Sequence, residues 1–135
     1  MTRLQAGFGA LILAQAAHSV EEYLGRLWES FPPARAVSGL IFRNLELGFL
    51  AFNLALVGFG VWCFLGPVRR EWPSAVPLAW GWVAIETING LGHSLWSLRQ
   101  GGYTPGVATA PVVLILAIHL AWQLRRGGRP HQAMP

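Results

Sequence analysis

Leu47 to Leu65 reads LGFLAFNLALVGFGVWCFL, nineteen residues without a charge. A run of that length crosses a hydrocarbon core about 30 Å thick. In lipid the backbone must satisfy its own hydrogen bonds, which selects the helix. Three further apolar stretches flank it, and Pro, Gly and Arg mark their limits. Phe31-Pro32-Pro33 ends the first, Gly66-Pro67 and Trp72-Pro73 separate the second from the third, and Gln100-Gly101-Gly102 precedes the fourth. The pattern predicts spans over about 4–28, 39–65, 74–98 and 104–124, with a tail over 125–135. The expected fold is all-α, a four-transmembrane-helix bundle forming one domain.

Composition agrees. Of 135 residues, 53% are hydrophobic and 12% charged, against about 25% charged in ordinary soluble domains. Disorder needs the opposite balance. Cys63 is the only cysteine, which excludes a disulfide scaffold. Ala6 to Ala17 resembles a signal-peptide core, but Glu21 and Glu22 stand where small residues would be cleaved, so the segment is read as retained. All ten basic residues are arginine. They are dispersed, apart from Arg69/Arg70 and Arg125/Arg126 just after apolar runs, which reads as membrane flanks and not as a nucleic-acid surface. Arg3, Arg69, Arg70, Arg125, Arg126 and Arg129 fall on the side of the termini, against Arg26, Arg35, Arg43 and Arg99 on the other. That excess predicts both termini in the cytoplasm.

The acidic residues carry the functional signal. Glu29 and Glu71 belong to loops, but Glu21, Glu22, Glu46 and Glu86 fall inside the spans. A carboxylate there costs roughly 2.5–3.5 kcal/mol even on the permissive insertion scale. His18, Glu21 and Glu22 share one helix face, as do Glu86, Asn89 and His93. Arg43, Glu46 and Asn53 form a third stripe. At 1.5 Å per residue, Glu22, Glu46, His93 and Thr109 lie roughly 9–11 Å below the outer ends of their helices, and Glu86 about 20 Å below. The expectation is one polar pocket in the non-cytoplasmic half of the bundle. Its floor lies near Glu86 and Asn89, and its mouth faces the first and third loops. His119 stands apart among apolar neighbours and reads as a structural hydrogen-bonder; His131, in the tail, is uninformative.

Three segments combine distinctively: His18-Ser19-Val20-Glu21-Glu22, then Glu86-x-x-Asn89-x-x-x-His93, then Tyr103-Thr104-Pro105-Gly106 followed by Thr109. Together they resemble the HXXEE-domain family, over about Leu11 to Leu124. The resemblance implies a small bacterial integral membrane protein, here of the inner membrane. It marks His18, Glu21, Glu22, Asn89, His93, Tyr103, Pro105 and Gly106, and brings no reaction with it.

Several chemistries suit these residues. His18, Glu22, Glu86 and His93 form a ligand set for a divalent Zn, Fe or Mn ion, although the spacing departs from the Glu-x-x-His of di-iron bundles. Metal-free acid–base catalysis by His18, Glu21, Glu22, Glu86 and His93 is the second reading, with Trp28, Trp80, Trp82 and Trp96 lining an apolar pocket. A proton relay or small transporter is the third. The fourth is a structural role in which Arg43–Glu46 and His18–Glu22 are pairs fixing helix register. The favoured expectation is a metal-dependent enzyme acting on a hydrophobic small molecule or lipid. In it Glu46, Asn89, Tyr103 and Thr109 contact substrate, with Glu21 and Glu46 also open as ligands or supporting groups. Partners are the lipid bilayer and that substrate, without nucleic acid.

Overall fold

Thr2 and Gln5 cap each other's backbone to start α1, Arg3–Leu24, in the computed structural model, which describes residues 1–127. The helix stops at Gly25, and Arg26 turns the chain through a left-handed conformation (φ 54°) into the short α2, Leu27–Ser30. Pro32, at a position where a missing N–H costs nothing, opens α3, Pro32–Ile41. Asn44 then accepts from Leu47 N and starts α4, Leu45–Cys63, which runs on through a wide π-helical turn, Phe64–Val68, around Pro67. α5 covers Ala75–Gln100 and ends at Gly101, whose φ of +69° is the left-handed geometry that closes many helices. α6 covers Ala110–Gly127. Arg129 and His131 lie outside the described residues.

The fold is all-helical over the described residues. Among them one helix, Leu45–Val68, is long and apolar enough to cross a membrane. It grows from the stretch LGFLAFNLALVGFGVWCFL. The other long helices, α1, α5 and α6, have 22, 26 and 18 residues, but they carry Gln, His, Glu and Arg among their apolar positions.

Several expected limits are corrected. The stretch 4–28 is not one helix, because Gly25 and Arg26 break it. The second long helix begins at Leu45 and not near Gly39, which belongs to α3. Arg43 therefore sits in a link, off the Glu46 stripe, and no ion pair joins Arg43 to Glu46 among the described residues. The fourth helix starts six residues after Thr104, because the Tyr103-to-Thr109 segment is used as a loop.

The long helices form an incomplete ring. α5 lies along α6, α6 along α1, and α1 along α4, while α4 and α5 barely approach each other. At the end nearer the termini that gap is closed by Trp82, stacked on Phe59 (6.1 Å between rings) and set edge-on to Phe8 (6.4 Å) in the main core. At the other end α3 folds back on α4. Gly48 lets the two meet, since a Cβ there would strike the Ser38 carbonyl. A smaller core of Leu27, Trp28 and Phe49 fixes this corner.

Candidate metal centre

One face of α1 carries Gln15, His18, Ser19 and Glu22, all buried. Opposite them α5 presents Glu86, Asn89 and His93, and the loop before α6 closes over the top. His18, Glu22 and His93 converge, with one ligand atom from each within 4.8 Å of the others. His93 Nε2 is 2.9 Å and His18 Nε2 3.3 Å from the same Glu22 Oε1. Two ligand atoms about 2.0–2.1 Å from a tetrahedral ion stand about 3.3 Å apart, so the spacing suits a shared cation.

The far sides of both imidazoles fix their tautomers. His93 Nδ1 is 2.9 Å from the Pro105 carbonyl, which only accepts, so Nδ1 holds a proton. His18 Nδ1 is 2.6 Å from Thr109 Oγ1, and the Thr109 hydroxyl donates to Glu21 Oε2, also at 2.6 Å. Thr109 has one hydroxyl proton, so it accepts from His18. Each imidazole thus turns its Nε2 toward Glu22, and in the neutral tautomer that a metal binds this nitrogen is a bare lone pair. His18 Nε2 is buried and makes no hydrogen bond. Left bare, such a buried nitrogen is costly in a metal-free site, and a bare nitrogen is what a metal ligand presents.

The two glutamates of the helix-one motif divide here. Glu22 joins the histidines. Glu21 faces the loop, where it accepts from Tyr103 OH (2.9 Å), Ala108 N (3.1 Å) and Thr109 N (2.9 Å), besides the Thr109 hydroxyl. It anchors the start of α6, where backbone N–H groups favour an anion. The carboxylate raises the pKa of the exposed Tyr103 phenol above its ordinary value. Gly106 completes the loop. Its φ is +93°, and a Cβ would sit 2.6 Å from His93 Nδ1 and 2.9 Å from His18 Cε1. The Tyr-x-Pro-Gly segment is therefore a turn that supplies an acceptor for one histidine and space for both.

Glu86 and Glu46 do not join the cluster. Glu86 is fully buried one layer down, held by Asn89 Nδ2 at 3.3 Å and by the Gln15 amide. That amide is assigned with its NH2 toward Glu86 Oε2 (2.8 Å), because the opposite orientation would put two acceptor oxygens at that distance. Ser19 donates its hydroxyl to Asn53 Oδ1 at 2.7 Å. Glu86, expected among the ligands, lies beneath the centre and outside the converging trio. Glu46 is exposed in the first turn of α4, where Tyr23 OH donates to it at 2.8 Å.

A cavity of about 430 Å³ adjoins the centre, with Glu22, His93, Asn89, Gln15 and Asn53 on its polar side. Its aromatic lining is Phe31, Phe49 and Phe52. Trp28, Trp80, Trp82 and Trp96 do not line it. Trp82 is in the main core, Trp28 packs behind Phe49, and Trp96 meets the far side of Phe31. His119 pairs with Gln123 and stacks on Trp122, away from the site.

Sequence reasoning passed over Gln15 and Ser19. The signal was present: Gln15 is the only polar side chain between Ala6 and Ala17, and it stands three and seven residues before His18 and Glu22, on their face.

Residues 10–120 match the family model described as a protein of unknown function with HXXEE motif. No curated protein and no solved structure matches the chain.

Proposed function

The chain belongs to the HXXEE family, and from that premise we propose that the motif builds a divalent-metal centre in a membrane-embedded enzyme. His18 Nε2, His93 Nε2 and Glu22 are the ligands. The single observation that carries the reading is the convergence geometry: both imidazoles spend their Nδ1–H elsewhere and turn their Nε2 atoms on one carboxylate. Metal-binding histidines commonly donate their second N–H to a carbonyl or a carboxylate-backed group, and Pro105 and Thr109–Glu21 supply those partners. Three protein ligands leave a coordination position for water or substrate, as catalytic zinc sites do. The chemistry such an ion supplies is polarisation of a carbonyl or activation of water. The cavity beside Glu22 and His93 receives the substrate, a hydrophobic small molecule or lipid.

The membrane setting rests on the outer faces of all four long helices. Leu13 and Val20 on α1, Leu54 on α4, Ile88 and Leu95 on α5, and Ile115 and Ile118 on α6 are each more than half exposed. Soluble monomers rarely carry so much apolar surface. On this reading the bundle spans four times, with polar side chains turned inward, where intramembrane ionisable groups belong. The arginine distribution favours both termini in the cytoplasm and the centre in the outer half.

The test is metal analysis of the protein purified in mild detergent, followed by cobalt titration. One ion per chain, with a visible cobalt spectrum lost in His18→Ala and His93→Ala while helix content is kept, is the expected result. A helical, folded wild type that binds neither zinc nor cobalt overturns the metal centre. It would favour the metal-free reading, in which His93 and Glu22, 2.9 Å apart, share a proton.

A further inference from the structure

The ring of helices is open on one side, and the opening leads to the centre. α4 and α5 part along their outer halves below α3, and the cavity fills that seam. Its walls there are Phe52 and Leu56 from α4 and Ile85 and Ile88 from α5. Phe52, Ile85 and Ile88 are also 42%, 40% and 73% exposed, so the same side chains line the cavity and form its outer rim. A passage rimmed by apolar side chains on the flank of a membrane bundle faces acyl chains, not water.

The inner end differs in chemistry. Gln15, Asn53 and Asn89 offer amides beside Glu22 and His93, and among the described residues no arginine lines the cavity. A divalent ion would bring two positive charges. Glu22 and the Glu21 behind His18 bring two negative ones, with the Glu86 carboxyl beneath them, so no positive charge remains to hold a phosphate or carboxylate. We propose that the cavity takes an uncharged carbonyl compound on a long apolar chain, such as an ester or amide, admitted sideways from the bilayer between α4 and α5. The chain lies against Phe52, Leu56, Ile85 and Ile88, and the carbonyl end reaches Asn89 and the His/Glu centre. Sideways admission stands on the seam and on the membrane reading proposed above. The choice of a carbonyl rests on the metal reading, because a Lewis-acid centre polarises that group.

The experiment is photolabelling of the reconstituted protein in phosphatidylcholine vesicles. The probe is a sixteen-carbon methyl ester with a diazirine in its chain, used on metal-loaded and chelator-treated protein. Labels are expected in peptides around residues 49–56 and 85–93. Excess methyl palmitate should compete, and hexadecyl phosphate should not. Ile88→Trp, or Val37→Trp at the exposed α3 edge of the same cavity, should reduce the competed label about tenfold. Two separate variants guard against one that fails to fold. Uncompeted labelling spread over all outward helix faces overturns the seam as a binding site. Equal competition by hexadecyl phosphate overturns the uncharged head. Competed seam labelling in a protein that binds no metal keeps sideways admission and overturns both the metal centre and the carbonyl assignment. Stoichiometric metal with only diffuse labelling does the reverse.

Discussion

Thr109→Val isolates what Glu21 does for His18. The substitution keeps the side chain's shape and deletes one hydroxyl, which is 2.6 Å from both His18 Nδ1 and Glu21 Oε2. Glu21 would keep Tyr103 OH, Ala108 N and Thr109 N, so the loop stays anchored. His18 would lose its only partner at Nδ1, with the imidazole fully buried. Leaving such a donor unpaired costs about 1–3 kcal/mol, and the ring is then free to change tautomer and present N–H in place of a lone pair. Removing the hydrogen-bond partner of a ligating histidine weakens metal binding about 10–100-fold, equivalent to about 1.4–2.8 kcal/mol.

The assay is competition for zinc against a chromophoric chelator in detergent, with helix content followed in parallel. Thr109→Val should raise the zinc Kd by about 10–100-fold. Thr109→Ser, which restores the hydroxyl, should return close to wild type. Tyr103→Phe removes one of four donors to Glu21 and touches neither histidine, so its affinity should stay within a few-fold. Wild-type affinity in Thr109→Val would refute the relay. So would equal losses in Thr109→Val and Tyr103→Phe, because loop anchoring and not imidazole orientation would then be what matters.

Two other substitutions test the surroundings. Gly106→Ala places a Cβ against both imidazoles and forces a left-handed residue, itself worth about 1–2 kcal/mol; its zinc Kd should rise more than that of Thr109→Val, with helix content unchanged in circular dichroism. Glu86→Leu leaves the Gln15 and Asn89 amides short of a partner, so it should destabilise by about 1–3 kcal/mol. Glu86→Gln should recover most of that loss in thermal unfolding. Full metal loss in Glu86→Gln would return Glu86 to the ligand set.

Helix class was legible because it depends on local signals: a nineteen-residue apolar run, prolines between stretches, and Gly101 after α5. The helix limits were less legible where the chain is bent against its neighbours. Nothing in Gly25-Arg26 or in Val37 to Asn44 breaks apolar periodicity strongly. What ends α1 there is the Pro105 ring, which sits where a Gly25 Cβ would be, and what separates α3 from α4 is the close approach of Gly48 to Ser38. Both are contacts between distant or folded-back segments. Glu46 was misplaced for the same reason. Counting 1.5 Å per residue from Gly39 assumes one continuous helix, but α4 begins only at Leu45, so Glu46 stands exposed in its first turn, where Tyr23 donates to it.

The site was legible to the extent that one helix face can be read from spacing. His18 and Glu22, four apart, had to be neighbours, and His93 had to share a face with Asn89 and Glu86. Spacing left open which glutamate meets the histidines, because Glu21 and Glu22 are only about 100° apart around the helix. The partner across the bundle settles it. Helix geometry lets Glu22 reach the Nε2 side of His18 directly, while Glu21 is turned toward α6 and touches the imidazole only through Thr109, on its Nδ1 side. One imidazole is thus held from both edges by carboxylates of its own helix, one directly and one through a hydroxyl from ninety-one residues away. The reading therefore demands different behaviour from neighbouring glutamates. Glu22→Gln should remove a ligand and abolish zinc binding, whereas Glu21→Gln, which can still accept from the loop, should weaken it only by about the Thr109→Val factor. Identical losses would mean that the motif acts as one charged patch and that its order carries no geometry.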